Sequence, residues 1–409
     1  MYVNRAQGDG YDPVSELKQY IQWEEPDISG CYLFSGLRGS GKTTELNRLK
    51  AELQKDGIAA FYCDASIYLN LNNPQLGLAE LLMAALAGLA DAVRKEYQKD
   101  PFSSSIWERI KNLLDSNVNT ETKLKVGIPG IAEVEATLQD NPDFREKLIS
   151  FAQQSSTFYD EAAKFARDIA AFIRQKTEKE DQKIVLIIDS LERISAPSGD
   201  ENKLFDSLKE IFFNEPARLR LPSLSVVYSV PPYLHAVLPG VKNEFHRVSL
   251  PNFNVVDSQD HKNPEGTRKM AEIVSHRFPG WREIITEPAL EDLAWKLGGN
   301  VRLFFSVLRT VAIKAQLGKH PLPIDTGSNF IAHALNESAR PLLWLTSPDL
   351  ELLKRFMKNG KNPAENIKNL ATDLPPVIRL FDHSLVLDYY QDGDVWYGVP
   401  PLVRDYVKD

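Results

Sequence analysis

Lys42 and Thr43 stand directly behind three glycines in the stretch Gly36-Leu37-Arg38-Gly39-Ser40-Gly41-Lys42-Thr43-Thr44. Such a stretch can bind a polyphosphate: glycines let the backbone turn its N–H groups inward around anionic oxygens, and the N-terminus of a following helix adds its partial positive charge. The Lys42 ammonium is then placed for the β- and γ-phosphates of ATP and the Thr43 hydroxyl for Mg²⁺, while Gly36, Arg38, Gly39, Ser40, Gly41 and Thr44 complete the cradle. Asp189 closes the apolar run Ile184-Val185-Leu186-Ile187-Ile188 and is the expected carboxylate on the Mg²⁺ side. Glu192, three residues on, can orient or deprotonate an attacking water, a task for a carboxylate close to the metal but not on it. Ser229 ends another apolar run and can contact the γ-phosphate or that water. Arg302, at the start of a helix, is a candidate to reach back to phosphate or to form a salt bridge. Arg247, at the start of a strand, reads equally as a functional cation or as an exposed strand-edge charge.

These residues need a scaffold that brings strand ends together, and the apolar patterning supplies one. Cys31-Tyr32-Leu33-Phe34 before the glycines and Glu45-Leu46-Asn47-Arg48-Leu49 after them read as strand, loop and helix. Residues 58–64, 184–189, 224–229 and 244–250 read as further strands. The first three are nearly continuous apolar runs, which points to a parallel sheet covered on both faces. Pro13–Ile21, residues 75–97 and residues 142–176 have helical spacing, the last with a break near Ser155-Ser156. Residues 100–150 read as an insertion, with period-two alternation on either side of Pro129-Gly130 predicting a hairpin over 123–136, either a partner-binding projection or a covering flap. Gly298-Gly299-Asn300 ends one helix and starts another. Residues 320–340 read as a linker. Beyond it, helices over 348–360, 364–370 and 375–381 precede two strands flanking Gln391-Asp392-Gly393-Asp394, a winged-helix order.

The chain has 409 residues, which at roughly 150 residues per domain predicts two or three domains. A net charge of −8 argues against coating nucleic acid or membrane through global charge. The two cysteines, Cys31 and Cys63, lie on apolar segments and read as core residues of a protein in a reducing cytoplasm. The N-terminal residues show no secretory pattern, and no apolar stretch reaches the roughly 18 residues of a membrane span.

With Gly36 to Thr44, Asp189, Ser229, Arg247 and Arg302 in these places, the chain resembles the AAA+ and STAND branch of P-loop ATPases, including the origin-recognition type with its trailing winged helix, over most of residues 10–409. The resemblance implies that Gly36 to Thr44 is a Walker A element, Asp189 the Walker B acid, Ser229 a sensor-one position, Arg302 a sensor-two position and Arg247 an arginine finger. One departure stands out. The AAA+ pattern places its glutamate directly after the Walker B aspartate, where this chain has Ser190, and the acid three residues on looks more like the STAND arrangement.

The expected architecture is α/β: a three-layer P-loop NTPase core around a parallel sheet over 1–255, a helical lid over 256–325 and a winged-helix-like domain over 341–409. The expected function is an ATP-binding and ATP-hydrolysing switch that signals through a protein partner or self-assembly, in a setting such as anti-phage defence or a mobile element. A DNA-binding loader and a nucleotide-locked scaffold without turnover are the alternatives. Against the loader, residues 341–409 hold slightly more acids than bases, the expected recognition helix offers little beyond Arg379 and His383, and the hairpin carries Asp388, Asp392 and Asp394. Val377, Leu380, Phe381, Tyr389, Tyr390, Trp396 and Tyr397 read mostly as core, and any few surplus to a module this small would form a face suited to a protein partner.

Overall fold

The computed structural model of the chain describes residues 11–26, 28–99, 108–110, 142–197, 199–238, 240–241, 244–359, 366–391 and 393–407. Strands β1 (Cys31–Ser35), β2 (Ala59–Asp64), β3 (Ile184–Asp189), β4 (Ser225–Val230) and β5 (His246–Ser249) form one sheet in the order β2-β3-β4-β1-β5. Every residue of β1, β3 and β4 is buried, as continuous apolar runs require in a sheet covered on both faces. The pairings β1–β4, β2–β3 and β3–β4 are parallel. Their register sets Asp64 opposite Asp189 and Ser35 opposite Val230, so the polar strand ends gather along one edge.

Helix α1 (Pro13–Trp23) lies ahead of the sheet in sequence, and α2 (Lys42–Lys55) follows the glycine loop. Helix α3 (Leu78–Tyr97) starts three residues later than its spacing predicts. The Glu80 carboxylate takes the Gly77 N–H at 2.7 Å and satisfies a donor that a helix start leaves open, which fixes the first turn there. The predicted break near Ser155-Ser156 separates α4 (Pro142–Gln154) from α5 (Thr157–Thr177), where the Ser155 hydroxyl accepts the Thr157 N–H. Among the described residues no helix is long and apolar enough to cross a membrane. The expected hairpin over 123–136 lies outside the described residues, as does most of the expected insertion over 100–150.

The chain divides into two compact units, one of Val14–Ser35 with Thr43–Val248, the other of Gly36–Lys42 with the described residues from Ser249 onward and residues 11–13. In the second unit α6 (Pro264–Arg277), α7 (Glu287–Lys296) and α8 (Val301–Leu317) precede α9 (Asn329–Ser338). The expected linker over 320–340 is therefore corrected. Ile324 bridges Ile285, the Ser328 hydroxyl caps α9, and Ile331, Ala334 and Leu335 are buried, so the apolar face of 329–338 outweighs the turn residues before it. Helices α10 (Ser347–Asn359) and α11 (Leu370–Asp382) then lead to an antiparallel hairpin, β6 (Leu387–Gln391) and β7 (Asp394–Gly398), and to α12 (Pro401–Val407).

Helix α11 begins before its two prolines, not at Pro375 as expected. The Asp373 carboxylate accepts the Lys368 and Asn369 N–H groups and pairs with Arg355 at 2.7 Å, which secures the first turn upstream of them. The start of the expected helix over 364–370 lies outside the described residues.

The hairpin is fastened to the segment after β5. Asn252 donates its side-chain amide to Asp388 Oδ1 at 2.7 Å, and the Tyr389 hydroxyl donates to the Gly298 carbonyl at 2.9 Å. Tyr11 stacks on Tyr390 with ring centroids 3.8 Å apart. One expectation changes as a result: Asp388 is buried and bonded instead of displayed. Val377, Leu380, Phe381, Tyr389, Trp396 and Tyr397 are core residues, as most of that set was read to be, and none of these six is left over for a sticky face. Asp392 lies outside the described residues.

Candidate active site

The glycine loop joins the end of β1 to the start of α2. Gly39 and Gly41 take positive φ, 88° and 98°, which side chains disfavour. A Cβ on Gly39 would also lie 2.6 Å from the Cβ of Arg302. Arg302 thus lays its stem against the loop, and among the described residues it forms no ion pair. Arg38 and Thr44 are exposed and Ser40 is buried. Lys42 is buried, and its ammonium donates to the Gly36 and Leu37 carbonyls at 2.7 and 2.8 Å. An ammonium held by neutral carbonyls inside its own loop can exchange them for anionic oxygens, which are stronger acceptors.

In the other unit, Thr43 Oγ1 donates to Asp189 Oδ2 at 2.6 Å. Asp189 is fully buried at the end of β3, and the Ser190 N–H holds its other oxygen, Oδ1, at 2.7 Å. Ser190 adopts φ 76°, and this turn in the backbone leads into one turn of 3₁₀ helix, Leu191–Arg193. Glu192 is buried there. The Ser229 hydroxyl donates to Glu192 Oε2 at 2.9 Å and accepts the Leu191 N–H at 3.1 Å. Two residues expected to act separately are therefore joined: the Ser229 hydroxyl orients the Glu192 carboxylate, which makes it a group that can accept a proton at a defined oxygen.

A third partner of Asp189 escapes sequence reasoning. The Tyr62 hydroxyl donates to Asp189 Oδ2 at 2.7 Å, the same oxygen that Thr43 reaches. Burial first, then this hydrogen bond and the negative charge, push the phenol above its ordinary range, so it stays a donor. Residues 58–64 read as apolar throughout, and Tyr62 as part of the core. The available signal was its place two residues before Asp64, on the same face of β2 near the polar edge. Asp64 itself is held below the usual carboxylate range: burial raises it, but hydrogen bonds from the Ser66 hydroxyl and backbone N–H help to outweigh that.

Thr43 and Asp189 fit Mg²⁺ in chemistry, since a hydroxyl and a carboxylate are hard oxygen donors. Among the described residues no group of three or more His, Cys, Asp or Glu side chains could hold a metal ion. A cation at Thr43 and Asp189 would take its other ligands from phosphate and water, as Mg²⁺ commonly does.

Arg247 is not brought to this cluster. Among the described residues no hydrogen bond or ion pair joins it to Asp189, Glu192 or Ser229. Its charge acts on His235, whose ring nitrogens are both buried without a hydrogen-bond partner. Burial, and then the Arg247 charge, push that imidazole well below its ordinary range.

No protein-family model matches the chain, and no curated protein matches it. Solved structures do. The chain is similar to the ADP form of the Aeropyrum pernix ORC2 protein at 12% identity and TM-score 0.40, over 100% of this chain and 93% of that one. It is similar to a Drosophila ORC chain from a DNA-bound structure at 12% identity and TM-score 0.36, over 99% and 90% of the two chains. Thermotoga maritima RuvB, a Holliday junction branch migration motor, matches at 12% identity and TM-score 0.35, over 98% and 95%.

Proposed function

We propose that the chain binds ATP with Mg²⁺, hydrolyses it, and acts as a switch read by a protein partner or by a second copy of itself. The observation that carries this reading is the Thr43–Asp189 hydrogen bond of 2.6 Å on the residue next to Lys42, whose ammonium is already turned into the glycine loop. A lysine aimed at phosphates and a hydroxyl–carboxylate pair suited to the accompanying cation are the two parts that phosphoryl transfer needs most.

Loop N–H groups and Lys42 would hold the β- and γ-phosphates, with Thr43 and Asp189 holding the metal and Arg302 positioned against the loop for a phosphate oxygen. Bound Mg²⁺ would supply charge neutralisation across the phosphates. Glu192, oriented by Ser229, would take the proton of the attacking water at its carboxylate. Among the described residues Arg247 bonds to none of these groups, and it is the residue we assign to a neighbouring copy. The placement of Glu192 three residues after Asp189 supports the STAND-like form of this reading, and with it a setting in anti-phage defence or a mobile element.

Calorimetric titration of the full chain with ATP and Mg²⁺ tests the proposal. The unsubstituted chain should bind saturably, and Lys42→Ala should lose binding while keeping its thermal unfolding, because it removes the charge facing the phosphates. Equal affinity in the two chains would refute it.

A further inference from the structure

We propose that Tyr62 is a positioning residue that competes with the divalent cation for Asp189 and thereby sets how much Mg²⁺ the site needs before it holds nucleotide. The inference rests on the nucleotide-binding reading and adds a residue to it. Asp189 Oδ2 receives two hydroxyl donors, Thr43 at 2.6 Å and Tyr62 at 2.7 Å, while Oδ1 receives the Ser190 N–H at 2.7 Å. A buried carboxylate satisfied in this way has little lone-pair capacity left for a cation. Thr43 is released readily, since its oxygen is itself a candidate metal ligand and needs only to turn its proton away. Tyr62 can only donate to that oxygen, so its hydroxyl and the cation contend for it.

The competition is separable from orientation. Asp189 is also fixed by the Ser190 backbone N–H on Oδ1, a hydrogen bond in which Tyr62 has no part. Tyr62 is fixed by the ladder between β2 and β3, where it pairs with Ile187. Removing the hydroxyl therefore leaves the ring, the strand and the carboxylate in place, and removes only the competing donor.

The test is binding of a non-hydrolysable ATP analogue to the full chain across a Mg²⁺ series. Tyr62→Phe should lower the half-saturating Mg²⁺ by about tenfold, the scale of one hydrogen bond to a charged group. Binding measured without Mg²⁺ should not change. In an Asp189→Asn chain the same substitution should shift nothing, because the contested carboxylate is gone. An unchanged or raised Mg²⁺ requirement in Tyr62→Phe, with tight binding intact, overturns this inference alone, as does an equal shift in the Asp189→Asn chain. Absence of nucleotide binding in the unsubstituted chain overturns the nucleotide reading and this inference with it.

Discussion

Glu192 leaves the sheet on a single turn of 3₁₀ helix and brings its carboxylate to the Ser229 hydroxyl at 2.9 Å. Two substitutions should therefore fall in the same order of effect on turnover and leave nucleotide affinity alone. Glu192→Gln removes the proton acceptor, and a general base is typically worth 10²–10⁴-fold, so ATP hydrolysis should slow by at least about tenfold. Ser229→Ala leaves the carboxylate but frees its orientation, and should slow hydrolysis by less. Phosphate release measured at saturating ATP decides it, and a Ser229→Ala chain slower than Glu192→Gln would show that Ser229 acts on phosphate directly instead of through Glu192.

At the level of elements, the turn between α7 and α8 shows how tightly the backbone is confined. Gly299 takes φ 74°, and a Cβ there would lie 2.2 Å from the Phe253 carbonyl oxygen. Gly393, in the hairpin turn, takes φ 88° with nothing within 4 Å of its Cβ position. Alanine at both sites meets the left-handed penalty of about 1–2 kcal/mol, and only Gly299→Ala adds a clash with rigid backbone. Thermal denaturation should show Gly299→Ala clearly less stable than Gly393→Ala. Equal melting temperatures would mean that the 253–254 segment yields without cost.

For the whole molecule, the question is which partners its charge admits. The chain carries −8 overall, and Arg379, the single Lys or Arg on the helix before the hairpin, is paired with the buried Asp349 at 2.7 Å. A duplex-binding surface draws its affinity from several free Lys and Arg contacts to phosphate. Fluorescence anisotropy of the full chain with labelled duplex, with and without ATP, should show no tight binding that collapses between roughly 50 and 200 mM salt. Micromolar binding with that salt dependence, lost on deleting residues 341–409, would favour the loader alternative.

Much of the core was legible because its signals are local. A glycine loop between an apolar run and a helix, and an acid closing a run of five apolar residues, are one-dimensional patterns, and the strands at 31–35, 184–189 and 225–230 fell where they indicate. Element boundaries set by which side chain caps the first turn were less legible: Glu80, three residues past Gly77, moved the start of α3, and Asp373 moved α11 ahead of its prolines. What only the tertiary structure decided is which polar groups meet. Tyr62 and Asp189 are 127 residues apart, Glu192 and Ser229 are 37 apart, and Asn252 and Asp388 are 136 apart. Periodicity states which face of an element is buried, but sheet register and the packing of one segment on another select the partner of each buried polar group. The phosphate loop and the acid after β3 were thus written in the sequence, whereas the hydroxyl contending for that acid, and the burial of Asp388 under Asn252, came only with the fold.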